Sequence, residues 1–385
     1  MSDVRQAERE PQDQLAQRFY DRIREMPPVF RTKSGIWAVA GHPEATRLLS
    51  SRCIVSDDRE SLRRRDSAWD ELARRFFIFA DGAEHARLRR LVSFAFTNRR
   101  LQTLTSTVER LVREGLTGVS GRNAEMMSAL AFPVASRMIA DLLGLPSEVA
   151  DRLARWGHEL SGGLGGRGGA TQFDRAAIEI QRFLHDQIPH AEAGGLLHAL
   201  SERHAGDRLT ADEVVTTAAL LLVAGFETSA NFFGNLLLGL LWRRERYEEL
   251  IHIPDLADSA VEEMLRLFTP AHIVFRKVVE PFAVGDAELV PGDRVAVLLG
   301  ACNRDRRVFD DPDSYDARRH PNPHLTFSHG PHYCLGAGLA RLEASVMLRT
   351  LVDVAPGLQL AAEEAARWES RLLGRGLARL GVVLP

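Results

Sequence analysis

Residues 214–242 read VVTTAALLLVAGFETSANFFGNLLLGLLW, and no other stretch restricts the fold as strongly. An apolar run this long is either a membrane span or the buried axis of a large soluble domain. Thr210 and Glu213 form a T-x-x-E capping box just upstream, so the run starts as a helix. At 1.5 Å per residue it would reach about 45 Å, enough to cross one large domain. Glu227, Asn231 and Asn235 interrupt it. A charge at mid-membrane costs at least about 2.5 kcal/mol. In a protein core an acid can be paired or used, so a buried helix of a soluble protein is the expectation.

The remaining composition agrees. The 385 residues carry 49 Lys+Arg against 52 Asp+Glu, a net charge of −3, which lacks the basic excess of a nucleic-acid binder. The chain is 45% hydrophobic and 26% charged, as a globular protein with a large core would be. Cys53, Cys302 and Cys334 are too few for a disulfide framework and suggest a reducing, cytoplasmic compartment. The N-terminus has no apolar signal segment, and residues 1–14 are polar enough to be disordered.

Along the chain, residues 29–40 predict a short hairpin turning at Ser34-Gly35. From His42 to about residue 250 the pattern is mostly helical, and Asp81 is placed to cap a helix containing His85 and Arg89. Residues 161–170, SGGLGGRGGA, are too glycine-rich for regular helix and predict a mobile connection. Residues 273–299 are strand-like, with turns at Gly285-Asp286 and Pro291-Gly292. An aperiodic loop follows, and a last helix spans about 335–354. The fold class is mainly α with a small β portion (α+β), and residues 15–385 show no linker that would split them into separate domains.

The aperiodic loop ends in FSHGPHYCLGAG. Cys334 stands just before a helix start, where backbone N–H groups favour a thiolate, and Gly330 and Gly336 allow a flat partner close to the backbone. Such a thiolate suits a soft metal or haem iron. Two other readings stand beside it: a buried small hydrophobe, and zinc held with His320, His324, His329 or His332.

The loop also resembles the haem-binding F-x-x-G-x-x-x-C-x-G loop of the cytochromes P450, with Phe327, Gly330, Cys334 and Gly336 in place. Glu263-Met264-Leu265-Arg266 is similar to the family's E-x-x-R, residues 224–228 (AGFET) to its A-G-x-[DE]-T, and His85 with Arg89 to its H-x-x-x-R. The resemblance runs from the hairpin to the C-terminal strand and is to the soluble bacterial members. It departs at Ser328 for a commoner Gly, Gly82-Ala83 for Pro-Pro and Cys302 for Ala.

The resemblance implies a haem b (iron protoporphyrin IX) between the long central helix and the helix after Cys334. Cys334 would be the axial ligand to the iron. His85, Arg89, Arg276 and His332 would hold the propionates, with Ala224, Phe327 and Gly336 also against the haem. Thr228 and Glu227 would handle dioxygen and its protons. Glu263 and Arg266 would be a structural lock to the loop near Arg318 or Arg319.

It further implies a monooxygenase that hydroxylates or epoxidises a mostly apolar small molecule, as in secondary-metabolite tailoring. Peroxide-using, coupling or desaturating chemistry and a non-catalytic haem sensor are the alternatives. The distal pocket would draw on Trp69, Phe76, Phe77, Ile78 and Phe79, residues 271–274, Leu221, Leu222 and the turn at Leu373-Gly374, with residues 161–170 as a lid hinge. Electrons from NAD(P)H would arrive through a ferredoxin reductase and a ferredoxin, the latter docking on Arg89, Arg90, Arg99, Arg100 and Arg341. No nucleic-acid or membrane partner is implied, and the protein would be a monomer.

Overall fold

The computed structural model describes residues 14–56, 67–117, 123–164, 170–202, 209–361, 366–370 and 374–384. Its axis is the helix Ala211–Trp242, started by the expected capping box: Thr210 Oγ1 accepts from Glu213 N at 3.1 Å, and Glu213 accepts from Thr210 N at 2.8 Å. A helix apolar on all sides must be buried on all sides. The helices Phe132–Leu143, Ala150–Leu164 and Ala170–Gln187 and the strand Arg375–Val383 cover it. Close approach uses glycines: a Cβ at Gly157 would meet Phe226 at 2.6 Å, and one at Gly239 would meet Met264 at 2.8 Å. This is the one described helix long and apolar enough to cross a membrane, and most of it lies inside the protein.

The hairpin Val29–Arg31 and Trp37–Val39 forms as expected, but its partner comes from far along the chain. Trp37–Val39 pairs in parallel with Arg294–Val297, which pairs antiparallel with Val274–Val278, and Ile54–Val55 closes the sheet. A second sheet, built on Arg375–Val383, takes in Ala366–Ser370, Gln359–Leu360 and Asn123–Glu125.

Two expectations need correction. Helix Ala150–Leu164 continues through Gly162 and Gly163, and the next helix starts at Ala170. The helix penalty of about 1 kcal/mol per glycine is outweighed by packing on the central helix, where Ser161 Oγ donates to Val223 O at 3.2 Å. The rest of the expected connection, 165–169, lies outside the described residues, as do 1–13 of the expected disordered terminus. Asp81 precedes helix Gly82–Ser93, but its side chain makes no cap. It is committed elsewhere, as the site shows.

Candidate active site

Cys334 sits in a loop whose backbone is fixed before any partner arrives. Its N–H donates to Phe327 O at 2.9 Å, and the Gly330–His332 turn closes with Tyr333 N on Gly330 O at 3.0 Å. Gly330 has φ +72°, and a Cβ there would lie 2.3 Å from Leu49 O, so only glycine fits. Ser328, at φ +62°, adopts the same left-handed region with a side chain. Helix Ala337–Val354 begins at once, with Gly336 as its cap residue.

Cys334 keeps an exposed surface, yet the protein crowded around it desolvates the thiol and raises its pKa, against the Gly336 N–H, Arg89 and Arg341. The N–H at the helix start and the two arginines do favour the thiolate, and desolvation works against them. A bound metal cation would supply the missing stabilisation. Zinc with the neighbouring histidines does not fit. His332 is bound to Asp81 and His324 to Glu262, and no three His, Cys, Asp or Glu side chains converge among the described residues.

The central helix and the Cys334 helix face each other across a small cavity lined by Ser229, Phe232 and Phe233 on one side and by Ala340, Glu343 and Met347 on the other. Ala224, midway along a buried helix, is exposed, and so is Cys334. One turn on, Thr228 Oγ1 donates to Ala224 O at 2.7 Å, and the helix stays continuous around it. Glu227 is buried beside it. Phe327 is buried under the Arg341 guanidinium, 4.4 Å from its ring centre. A Cβ at Gly336 would lie 4.0 Å from Sγ, an ordinary contact.

The four expected propionate residues divide into two groups. His85 and His332 stack with ring centres 4.1 Å apart, and Asp81 accepts from His332 Nε2 at 2.8 Å and from Ser56 N at 2.8 Å. Asp81 also acts through its charge on His85 and Arg276. Burial, then His332 and Arg89, lower His85 to about 4; burial lowers Arg276 to about 10 against the pull of Asp81. A carboxylate thus already rests against His332 and within the field of Arg276, while His85 stays neutral beside them. Arg89 turns to the loop instead, donating to Tyr333 O at 2.6 Å. Asp81 is the residue the sequence reading misplaced; no pattern along the chain announces a bond to His332, 251 positions away.

Glu263 and Arg266 are fully buried and form a two-pronged pair at 2.8 Å. Arg266 also donates to Asn303 O and Pro312 O; Glu263 accepts from Arg319 Nε, Asn322 Nδ2 and Asp316 N, each at 3.1 Å. Against burial, Arg266 and Arg319 hold Glu263 below the usual carboxylate range. The lock is to Arg319; Arg318 pairs with Glu249.

Other expectations resolve differently. Trp69, Phe76 and Phe77 are core, leaving Ile78 and Phe79 partly open. Leu222 is buried, while Leu221 and residues 271–274 are partly open. Residues 57–66 and Leu373 lie outside the described residues. Arg87 reaches Glu213 at the central helix start. Arg341 belongs to no free basic face, because it grips Glu262 at 2.6 and 2.9 Å.

The sequence model described as Cytochrome P450 matches residues 243–353. The biotin biosynthesis cytochrome P450 of Bacillus subtilis is 33% identical over 356 residues, covering 89% of this chain and 90% of its own length. The chain belongs to the cytochrome P450 family. The mycinamicin IV hydroxylase/epoxidase of Micromonospora griseorubida is 33% identical over 383 residues, covering 94% of each chain. The crystal structure of P450BioI in complex with an acyl carrier protein ligated to hexadec-9Z-enoic acid superposes with a TM-score of 0.88 at 32% identity, covering 95% of this chain and 97% of that one.

This cytochrome P450 has the family's mainly helical fold and is a monooxygenase. Its cofactor is haem b, with electrons from NAD(P)H through redox partners, and its substrate is a small molecule. The exposed Cys334 and Ala224, with Arg276 and His332 beside Asp81, fit that group.

Proposed function

We propose that residues 15–385 act as one domain that hydroxylates or epoxidises a mostly apolar small molecule in secondary-metabolite tailoring, the kind of step named for the mycinamicin relative. Cys334 would ligate the haem iron. His85, Arg276 and His332 would take its propionates, and Arg89 would brace the thiolate loop through Tyr333 O. Ala224, Phe327 and Gly336 would border the ring. When bound, haem supplies dioxygen activation and oxygen insertion. Thr228 would hold a proton at Oγ1 facing that chemistry, and Glu227, buried one position earlier, would pass protons inward. Electrons would come from a ferredoxin and its reductase to a monomer in the cytoplasm.

The observation that carries this reading is Cys334, exposed just before its helix in a loop fixed by Phe327 O and the Gly330 turn, together with Ala224, exposed midway along the otherwise buried central helix. The purified protein, reduced under carbon monoxide, is expected to show the red-shifted Soret band of thiolate ligation, lost in Cys334→Ala. Thr228→Ala should keep that band yet lower product per NAD(P)H by about a hundredfold. A wild-type protein without the band would overturn the proposal, and an unchanged yield in Thr228→Ala would overturn the proton role.

A further inference from the structure

Arg375 opens the strand Arg375–Val383 and is 8% exposed. Its guanidinium lies 4.7 Å from the Trp368 ring centre, yet neither Nε nor Nη2 has a hydrogen-bond partner among the described residues. Two more orphans stand near it. The Nδ1 of His272 is buried without a partner, and so is Oδ1 of Asn235, whose Nδ2 donates to Arg375 O at 3.1 Å. Burial, with the nearby Arg375 charge, lowers His272 to about 4, so it stays neutral and adds no positive charge. Arg304, the other buried arginine within reach of Arg375, is already bonded to Gly300 O and Leu267 O.

The backbone fixes where this cluster lies. Arg375 N donates to Pro270 O at 2.7 Å, and Ala271 bridges to Gly374. The strand rests on the central helix, where a Cβ at Gly376 would meet Asn231 at 1.9 Å. Asn231 is one turn beyond Thr228, and Asn235 is two. The cluster is therefore built from the partly open segment 271–274 and the central helix just past the reacting groups. A buried arginine with no counter-charge among the described residues is costly, and its flat two-pronged edge matches a carboxylate.

We propose that Arg375, with His272 beside it, recognises a carboxylate on the substrate, so that the oxidised molecule is an apolar body with an acidic end. This deepens the monooxygenase reading and rests on it. Water does not reach Nε or Nη2 in this arrangement, so the acid is met by a turn of the long side chain off the Trp368 ring, a rotamer change and not a backbone one.

The test uses the haem-loaded protein and two probes of equal length, hexadecanoic acid and its methyl ester, each titrated by the shift of the Soret band. The wild type should bind the acid about tenfold to a hundredfold more tightly than the ester. Arg375→Gln should bind the two alike. The acid should raise the melting temperature of the wild type and not of the variant. Equal binding of both probes by the wild type, or an acid preference kept in Arg375→Gln, overturns the proposal. Arg375→Lys, which keeps the charge and loses the fork, should retain part of the preference; if Arg375→Gln fails to fold, an undiminished preference in Arg375→Lys counts against the paired contact. The thiolate band under carbon monoxide, read on the same samples, separates a failure here from a failure of the haem assignment.

Discussion

Glu343 is buried on the helix after Cys334, facing Ser229 of the central helix. Burial, opposed by the Ser229 hydrogen bond, raises its pKa from 4.5 to about 8. The unfolded chain releases this proton near 4.5 and the folded chain keeps it to about 8, so stability is fullest below 4.5 and falls through that window. The slope is about 1.4 kcal/mol per pH unit at most. Glu343→Gln should remove that loss: its melting temperature should gain on the wild type steadily from pH 5 to 8. Parallel melting profiles would show that Glu343 does not stay protonated. Residues such as Cys334, Thr228 and His85 were legible because a short spacing in the chain fixes their type and neighbours. Asp81 and Arg341 were not, because their decisive partners, His332 and Glu262, are brought to them by folding alone.

At the scale of elements, the helix Ala257–Leu267 is tied to the loop before Cys334 by one buried ion pair and its satellites. Removing one partner leaves the other charged, buried and unpaired, at a cost of about 3–5 kcal/mol. Glu263→Ala should therefore yield little soluble haem-containing protein, and Arg266→Lys should fare little better, because lysine cannot make the two-pronged bond or reach Asn303 O and Pro312 O together. Normal yield and melting temperature in either would contradict the lock. The hairpin, the capped central helix and the Cys334 helix could be read from period and caps. The short strand Asn123–Glu125 could not: three residues carry no period, and its pairing with Gly381, Val382 and Val383 is its reason to be a strand. The glycine-rich end of helix Ala150–Leu164 misled for the same reason, local propensity yielding to packing.

For the whole molecule, the proposed ferredoxin contact rests on Arg90 and Arg99, both exposed, once Arg341 is committed to Glu262, Arg89 to Tyr333 O and Arg100 to Gly194 O. Exposed charges act mainly on association rate and are screened by salt. Arg90→Glu with Arg99→Glu should slow reduction by ferredoxin about tenfold at low salt while leaving the carbon monoxide spectrum unchanged. Stopped-flow reduction across ionic strength checks this; identical rates would place the docking face elsewhere.

The sequence by itself determined the chemistry: a cysteine poised at a helix start, a threonine inside an apolar helix, an E-x-x-R pair and a helix too apolar to lie on a surface. These are local facts, set by caps, period and short spacings. Only the tertiary structure decided which cation meets which acid, that the protein around Cys334 desolvates its thiol, and that Arg375 is enclosed with no counter-charge among the described residues. Burial and pairing depend on residues hundreds of positions apart, and desolvation acts only after folding has removed the water.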